Sequence, residues 1–434
     1  MSVHHAPNRT VYVVDGSRTP FLKARGRPGP FKAADLAVAA AKPLLLRQKF
    51  PATAFDQVIL GCVMPSADEA NIARVVALRL GCGHAMSAWT VQRNCASGMQ
   101  AIDSAFRAIA TGESELVLAG GVEAMSHAPL LWQQPLVEWF ADWSQARGVA
   151  ARVRTLARLK PGYLAPVIGL ARGLRDPIVG LGMGQTAEVI AHRFNITRET
   201  MDHYAVDSHR RLASAQQNGV LDEIEPLFDV GGNAYIQDDG LRADSSVEKL
   251  ARLPAAFDRK FGKVTAGNSA QISDGAAWLI LASEVAIERH ALPVLGSIRD
   301  SAWAGVDPRE MGLGPVHAVA PLLRRNQMAL SDIDYWELNE AFAGQVLACV
   351  AAWRDDDYCR DQLGLEAALG EVPRDRLNVD GGGISLGHPV GASGARITLH
   401  LLKTLHRTGT RRGIATLCIG GGQGGALLVE SNPQ

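Results

Sequence analysis

Two distant segments of the chain repeat one pattern, and this repeat limits the fold more than any other feature. Asn94-Cys95-Ala96-Ser97-Gly98 and Gly391-Ala392-Ser393-Gly394-Ala395 each open a predicted helix. An apolar run that predicts a buried strand follows each helix and ends in a glycine pair, Gly120-Gly121 or Gly420-Gly421. A repeat at this separation indicates two related half-domains.

The rest of the chain alternates between predicted strands and helices. The predicted strands are residues 10–14, 57–61, 115–119, 278–281, 294–298, 335–338 and 414–419. The predicted helices outside the repeat are residues 33–46, 70–80, 186–194, 200–216, 284–290 and 315–326. This alternation predicts the α/β class, with a parallel or mixed sheet covered by helices.

The middle of the chain has a different amino-acid composition, which predicts an insertion. Trp132, Trp139 and Trp143 lie close together, and a run of arginines without acidic residues follows them, from Arg147 to Arg175. We expect a first half-domain over residues 1–128, completed by 266–290, an inserted loop domain over 129–265, and a second half-domain over 291–434. Within the insertion, residues 136–179 are predicted to form a helical hairpin.

Composition excludes several classes of function. The 434 residues are 47% hydrophobic with zero formal net charge, so nothing global attracts nucleic acid. The six cysteines show neither a CxxC pair nor metal-ligand spacing, which predicts free thiols, no metal site and a cytoplasmic location. The N-terminal residues do not resemble a signal or transit peptide, and no apolar run is long enough to cross a bilayer.

Cys95 and His388 are the first candidate functional residues. A cysteine at a helix start meets the positive end of the helix dipole, which favours thiolate and predicts a lowered pKa. Taken alone, Cys95 is as well explained as a small buried hydrophobic residue. His388 lies in a stiff turn of glycines and a proline, and an imidazole there can take a proton from a thiol.

Cys418 and Asn339 complete the candidate set. Cys418 ends a predicted strand just before a glycine-rich turn, whose backbone N–H groups are suited to a developing oxyanion. Asn339 follows another predicted strand, where its amide can hold a water or an acyl oxygen. By themselves, Cys418 is more typical of a core and Asn339 of a helix start. Glu123 and Asp274 flank glycine turns and are given structural roles.

These blocks together resemble the thiolase family. The resemblance lies in Asn94-Cys95-Ala96-Ser97-Gly98, Asn339-Glu340-Ala341-Phe342, Gly387-His388-Pro389 and Cys418-Ile419-Gly420-Gly421. It implies a five-layered αβαβα fold of two similar halves. It also implies an acyl-CoA thiolase, an acyltransferase that cleaves 3-ketoacyl-CoA or condenses acetyl-CoA. Cys95 would carry the acyl group, with His388 activating it and Cys418 moving the second proton. Asn339 and His388 would form one oxyanion hole, and the N–H groups of Cys95 and Gly420 the other.

The resemblance also implies coenzyme A as a substrate, with no permanently bound cofactor. The positions that match the family's coenzyme A contacts are Met183, Arg242, Phe257, Ala266, Ser269, Ala341 and Phe342. The long insertion resembles that of thiolase subunits in fatty-acid oxidation complexes. The resemblance to the family implies a homodimer or tetramer, and the insertion is suited to contact with a hydratase/dehydrogenase partner subunit or to peripheral membrane contact. Acyl-chain length stays open.

Two alternatives remain at this stage. A ketoacyl-synthase-like condensing enzyme has a similar fold, but such enzymes lack a second catalytic cysteine in the position of Cys418. A non-catalytic acyl-CoA-binding or scaffold subunit is the other alternative. The intact set of Cys95, His388, Asn339 and Cys418 argues against it.

Overall fold

The fold was analysed in a computed structural model that describes residues 9–431. Its strands are β1 (Val11–Arg18), β2 (Leu22–Lys23), β3 (Gln57–Gly61), β4 (Ser87–Val91), β5 (Leu116–Ala124), β6 (Leu130–Leu131), β7 (Val167–Ile168), β8 (Leu227–Phe228), β9 (Ala234–Tyr235), β10 (Ser273–Ala282), β11 (Gly296–Gly305), β12 (Tyr335–Leu338), β13 (Arg412–Ile419) and β14 (Gln423–Glu430).

Helices account for much of the remaining chain. They are α1 (Ala33–Leu46), α2 (Ile72–Arg79), α3 (Ser97–Ala110), α4 (Gln134–Gln145), α5 (Val149–Leu156), α6 (Gly169–Gly173), α7 (Met183–Arg193), α8 (Arg198–Gln217), α9 (Val247–Ala251), α10 (Glu284–His290), α11 (Gly314–Arg325), α12 (Ala343–Arg354), α13 (Asp356–Leu363), α14 (Gly383–Leu386) and α15 (Ser393–Thr408).

The long strands form one mixed sheet that runs through both halves. Its order is β12-β13-β14-β11-β1-β10-β5-β3-β4, with β2 paired to β10. The two halves join where β1 pairs with β11, from Val11 opposite Ile298 to Val13 opposite Gly296. The strands of each half therefore keep their own neighbours, and a single short ladder connects them.

Helices cover both halves and fill the space between them. Helices α1 and α2 lie against the outer face of the first half, and α11 lies against the outer face of the second. Helices α3 and α15 pack against each other between the two halves, where they contribute to a shared apolar core. This gives the helix–sheet–helix–sheet–helix layering that the sequence predicts.

Four predicted elements are confirmed to the residue, namely α1, β3, α10 and β12. The first glycine pair was interpreted wrongly as the end of a strand. β5 continues to Ala124, because Gly120 and Gly121 lie inside the sheet opposite Trp278 and Ala277. A Cβ atom on Gly120 would lie 2.3 Å from the carbonyl oxygen of Ala277, so glycine here permits close packing.

The inserted segment contains the predicted helical hairpin. Helices α4 and α5 pack against each other, and the Trp139 indole donates a hydrogen bond to the carbonyl of Thr155 at 2.8 Å. Many of its apolar side chains are exposed, including Phe140, Val149 and Val153. This hairpin therefore leaves an apolar surface uncovered within the chain.

Candidate active site

Glycines let the two halves approach each other at the repeat. A Cβ atom on Gly98 would lie 2.7 Å from the carbonyl oxygen of Gly391, and one on Gly121 only 2.0 Å from it. Only glycine leaves room for this contact. The loop from His388 to Gly391 is thereby held against the start of α3, beside Cys95.

Cys95 lies in a tight turn just before α3, which begins at Ser97. Asn94 adopts a left-handed φ of 44°, and its amide donates to the carbonyl of Gly420 at 2.8 Å. Asparagine tolerates this conformation better than most residues. The turn therefore connects the first copy of the repeat to the glycine turn that follows the second.

The predicted low pKa of Cys95 is wrong. Burial raises the pKa of the thiol above its ordinary value, and hydrogen bonds from the backbone N–H groups of Gly420 and of Cys95 itself oppose this only in part. Since Cys95 precedes the helix instead of starting it, desolvation outweighs the helix dipole. The resting thiol is therefore protonated and needs a base.

His388 is buried and oriented by Ser393. The Ser393 hydroxyl donates to the carbonyl of Pro389 at 3.0 Å, so its oxygen accepts from His388 Nδ1–H at 2.6 Å. This leaves Nε2 without a proton, at 3.4 Å from the amide nitrogen of Asn339. A hydrogen bond on one ring nitrogen fixes the tautomer of the other. His388 thus presents a proton acceptor to the site.

Burial, with a smaller effect of the Arg396 charge, lowers the pKa of His388 to about 4. The imidazole is therefore neutral at pH 7. Together with the raised pKa of Cys95, this means that the two groups do not form a thiolate–imidazolium pair at rest.

Cys418 is the second-to-last residue of β13 in the same region and is 1% exposed. Burial raises its pKa well above the ordinary value, and the nearby thiols of Cys95 and Cys349 add to the shift. Gly420 follows it in the turn between β13 and β14. Two protonated thiols and one neutral imidazole are thus gathered at one place.

Asn339 follows β12, and its buried side-chain oxygen has no hydrogen-bond partner among the described residues. The next residue, Glu340, is fully buried, and the sequence analysis gave it no role of its own. Its carboxylate accepts hydrogen bonds from Tyr204, Ser208, Asn378 and the backbone of Ile384. Glu340 therefore fixes the segment that carries Asn339 against α8 of the insertion.

A cavity of about 500 Å³ opens onto Cys95, Gly420 and Met183. Its walls come from the end of β3, the residues that follow β5 and the segment around α6. They are mainly apolar, including Met64, Met125, Leu131, Leu170, Leu174 and Ile178. The nucleophile candidate thus lies at an apolar cavity that is large enough for a substrate.

Among the candidate coenzyme A contacts, Met183 is the one that lines this cavity within the described residues. Ser269 pairs with Phe342, the Ala270 amide donates to the carbonyl of Ala341 at 2.9 Å, and Phe257 meets Phe342 edge-on. Ala266 and Arg242 are exposed, and the Arg242 amide donates to His209. Ser269, Ala341 and Phe257 therefore lie around Phe342.

Both halves of the chain match models of one family. Residues 11–285 match the thiolase N-terminal domain, and residues 292–431 match the thiolase C-terminal domain. The chain belongs to the thiolase family.

Relatives are similar over nearly the whole length. The chain is 40% identical to the β-ketoadipyl-CoA thiolase of Pseudomonas aeruginosa, covering 98% of this chain and 99% of that protein. It is 35% identical to the mitochondrial trifunctional enzyme subunit beta of Bos taurus, over 99% and 90% of the two chains. The solved structure of human mitochondrial 3-ketoacyl-CoA thiolase in complex with CoA matches with a TM-score of 0.83 and 36% identity, over 99% and 100% of the chains.

These similarities confirm the predicted family, fold and activity. The protein is an acyltransferase of the thiolase type, with coenzyme A thioesters as substrates and no permanently bound cofactor. Neither alternative from the sequence is needed. Of the helices in residues 9–431, none is both long and apolar enough to cross a bilayer.

Proposed function

We propose that Cys95 is the nucleophile and His388 its base. His388 Nε2 takes the proton of the Cys95 thiol as sulfur attacks the ketone carbon of a 3-ketoacyl-CoA. The bond between that carbon and the acetyl-CoA fragment then breaks, leaving an acyl group on Cys95. The observation that carries this proposal is the hydrogen bond from His388 Nδ1–H to Ser393, since it leaves Nε2 free to accept the proton.

Cys418 supplies the second proton transfer. Its thiol protonates the acetyl-CoA carbanion that the bond cleavage releases, and its thiolate then deprotonates incoming coenzyme A. The coenzyme A sulfur attacks acyl-Cys95, and the departing Cys95 thiolate recovers its proton from His388. Every proton is returned, so the enzyme ends the cycle unchanged. The high pKa of Cys418 supports this role, because a strong base is required to exchange protons with a carbanion.

Two groups of donors serve the oxyanions. The backbone N–H groups of Cys95 and Gly420 already point at the Cys95 sulfur region and support one oxyanion hole. His388 and Asn339, the latter through a water, would form the other. The unpartnered oxygen of Asn339 supports this, because a buried amide oxygen needs a hydrogen-bond donor.

Mass spectrometry tests this assignment directly. The protein mixed with a 3-ketoacyl-CoA should gain one acyl group on Cys95, and Cys95→Ala should gain none. Cys95→Ser should lose most turnover, because a hydroxyl is a much poorer nucleophile near neutral pH. An acyl adduct that survives Cys95→Ala would contradict the assignment.

The apolar cavity supports acyl groups larger than acetyl. Leu131, Leu170 and Leu174 offer aliphatic contacts beside Cys95, and acetyl alone would leave most of this surface in water. Thiolysis rates against 3-ketoacyl-CoA substrates of increasing length should rise beyond acetoacetyl-CoA. A maximum at acetoacetyl-CoA would contradict this preference.

An acyl chain that ends in a carboxylate is the second candidate. Arg175 lines the cavity, and its side chain is exposed to solvent. A guanidinium group is well suited to a carboxylate, and the Pseudomonas aeruginosa relative is a β-ketoadipyl-CoA thiolase. Arg175→Gln should then raise KM for 3-ketoadipyl-CoA much more than for an uncharged substrate of equal length. The control is Arg172→Gln, since Arg172 is exposed on α6 and does not line the cavity.

We also propose a reducing compartment, self-association and a docking surface for this protein. The six free cysteines support a reducing compartment such as the cytoplasm. Strand β4 lies at the end of the sheet with Trp89 partly exposed, which supports pairing with a second copy in a dimer or tetramer. The basic and apolar hairpin of α4 and α5 supports contact with a partner subunit or an anionic membrane.

A further inference from the structure

Glu123 is a fully buried carboxylate on β5 that touches both halves of the molecule. One of its oxygens accepts from the backbone N–H groups of Val63 at 2.9 Å and Gly391 at 3.1 Å. The other accepts from the N–H of Met64 at 3.0 Å and from the Cys62 thiol at 3.7 Å. The carboxylate therefore joins the segment after β3 to the loop that carries His388.

The joined segments belong to the site. Val63 and Met64 form one wall of the cavity at Cys95, and Val390 lines the same cavity next to Gly391. The Gly391 amide donates its hydrogen bond to Glu123, and His388 lies three residues before Gly391 in the sequence. The loop also touches Gly98 beside the Cys95 turn. Val63 and Met64 are called the acyl wall. A change at Glu123 thus affects both the position of the acyl wall and the distance between Cys95 and His388.

We infer that Glu123 is a positioning residue for acyl transfer, because its carboxylate fixes the acyl wall and the His388 loop in one arrangement across the two halves. Its role is geometric, and it does not touch substrate. This deepens the function proposed above and rests on it where turnover is concerned.

Glutamine at this position tests the inference with little change in volume. The oxygen of its side-chain amide still accepts hydrogen bonds, but the NH2 group cannot, so the variant must lose either the pair from Val63 and Gly391 or the pair from Met64 and Cys62. One segment is then released whichever way the amide turns. Because misplacement by about 1 Å can cost roughly 100-fold in rate, Glu123→Gln should lower kcat by about tenfold or more. KM for coenzyme A should change by less than about twofold, since the residues around Phe342 are not involved.

Asp274→Asn is the matched control. Asp274 is also a buried carboxylate, on the neighbouring strand β10, but it holds Ser126 instead of the His388 loop. This variant should lose melting temperature to a similar extent and keep kcat within about twofold. Equal loss of kcat in both variants, or a normal kcat in folded Glu123→Gln, would overturn the inference. If Glu123→Gln does not fold, Glu123→Asp, one methylene shorter, should show the same pattern.

A second measurement separates this inference from the proposed function. The rate of Cys95 alkylation by iodoacetamide, read by mass spectrometry without any substrate, depends on the base beside the thiol. It should fall several-fold in Glu123→Gln and stay unchanged in Asp274→Asn. Absence of thiolysis in the unmodified protein would overturn the proposed function, and the alkylation rates would still decide the role of Glu123. An unchanged alkylation rate in Glu123→Gln would overturn that role.

Discussion

Each copy of the repeat has a serine at the first position of its helix, and the two serines make different hydrogen bonds. Ser97 and Ser393 each stand at the first residue of their helix, α3 or α15. Ser97 accepts from the backbone of Arg93 and donates to the carbonyl of Asn94, so it closes the turn that presents Cys95. Ser393 donates to the carbonyl of Pro389 and accepts from His388, so it orients the imidazole.

Under the proposed function, this difference lets a duplicated fold divide one reaction between its halves. Cys95 in the first copy stands where Gly391 stands in the second, and the glycine leaves room for the other backbone. In the proposed function, the first copy supplies the nucleophile, while the second supplies the base and the space that lets them meet. The glycine pairs diverge as well, because the first lies inside β5 and the second forms the turn after Cys418.

The largest effect is expected at Cys418, which has no thiol counterpart in the first copy. Cys418→Ala should lower turnover by about 10²–10⁴-fold, the usual worth of a general acid–base group. It should still accept an acyl group on Cys95 from acyl-CoA, because that step needs a nucleophile and His388 only. Mass spectrometry and steady-state assays separate the two results. Loss of acylation in a folded Cys418→Ala would show that the roles are not divided in this way.

The two serines provide a paired test. Ser393→Ala removes the acceptor of His388 Nδ1–H, so the ring can protonate Nε2 instead and lose its basic atom. We expect kcat to fall by about tenfold to 100-fold, with a small change in melting temperature. Ser97→Ala should lower stability by about 1 kcal/mol, as loss of a helix-start hydrogen bond does, and reduce kcat less. Equal effects on kcat would mean that both serines only stabilise their helices.

The next prediction concerns the pH dependence of Cys95 reactivity. Because burial raises the pKa of this thiol, its alkylation rate should increase about tenfold per pH unit through pH 8. A helix-start cysteine with a lowered pKa would instead reach a plateau near neutrality. Alkylation of the peptide that contains Cys95 is measured by mass spectrometry, with Cys95→Ala as the control. A plateau of the alkylation rate below pH 7 would instead support the lowered pKa of Cys95 that the sequence predicted.

Sequence reasoning succeeded where a local pattern carries the information. The repeat predicted the two halves, and Cys95, His388, Asn339 and Cys418 were predicted as site residues because each stands beside glycines or at a strand end. The prediction of a lowered pKa for Cys95 was wrong, because the desolvation of its thiol depends on the other half of the chain. Ser393 was placed in the repeat together with Ser97, but no role in orienting His388 was predicted for it. The structural role of Glu340 could not be predicted, because it has hydrogen-bond partners on α8 and α14, far away in sequence.

A smaller effect, on stability, distinguishes the two central helices. At the position of Ser104 in α3, α15 carries His400, which is buried between Glu223 and Asp380. Burial alone lowers the pKa of His400, but the two carboxylates outweigh it and raise the pKa to about 10. The resulting stabilisation is complete below the unfolded pKa of about 6.5 and declines as pH rises toward 10.

His400→Gln should therefore cost on the order of a few kcal/mol at pH 6 and progressively less at higher pH. Denaturant unfolding of both proteins at pH 6, 8 and 9.5 measures the difference. The exposed His203 on α8 serves as the control, since His203→Gln should change little at any pH. A difference that does not depend on pH would mean that His400 stabilises by packing alone.

The smallest effect on turnover is expected in the insertion, the largest difference between the two halves. Arg152, Arg154 and Arg158 lie on or just after α5, beside the exposed side chains of Val149 and Val153. Basic and apolar groups on one short helix favour an anionic membrane surface or a docking partner. Replacing the three arginines with glutamine should leave short-chain turnover within about twofold. Salt-sensitive binding to vesicles that contain anionic lipid should weaken, about 1 kcal/mol for each arginine.

The control for this triple variant is a matched loss of charge elsewhere on the surface. Arg252, Arg259 and Arg289 are outside the hairpin, and their replacement by glutamine should leave vesicle binding nearly unchanged. If both triple variants bind vesicles equally well, the hairpin is not a membrane contact, and a copurifying partner is tested next. Collapse of short-chain turnover together with coenzyme A affinity would indicate that the hairpin arginines bind the phosphates of coenzyme A. The insertion would then bind the substrate of the reaction, and it would not be a docking surface for a membrane or a partner.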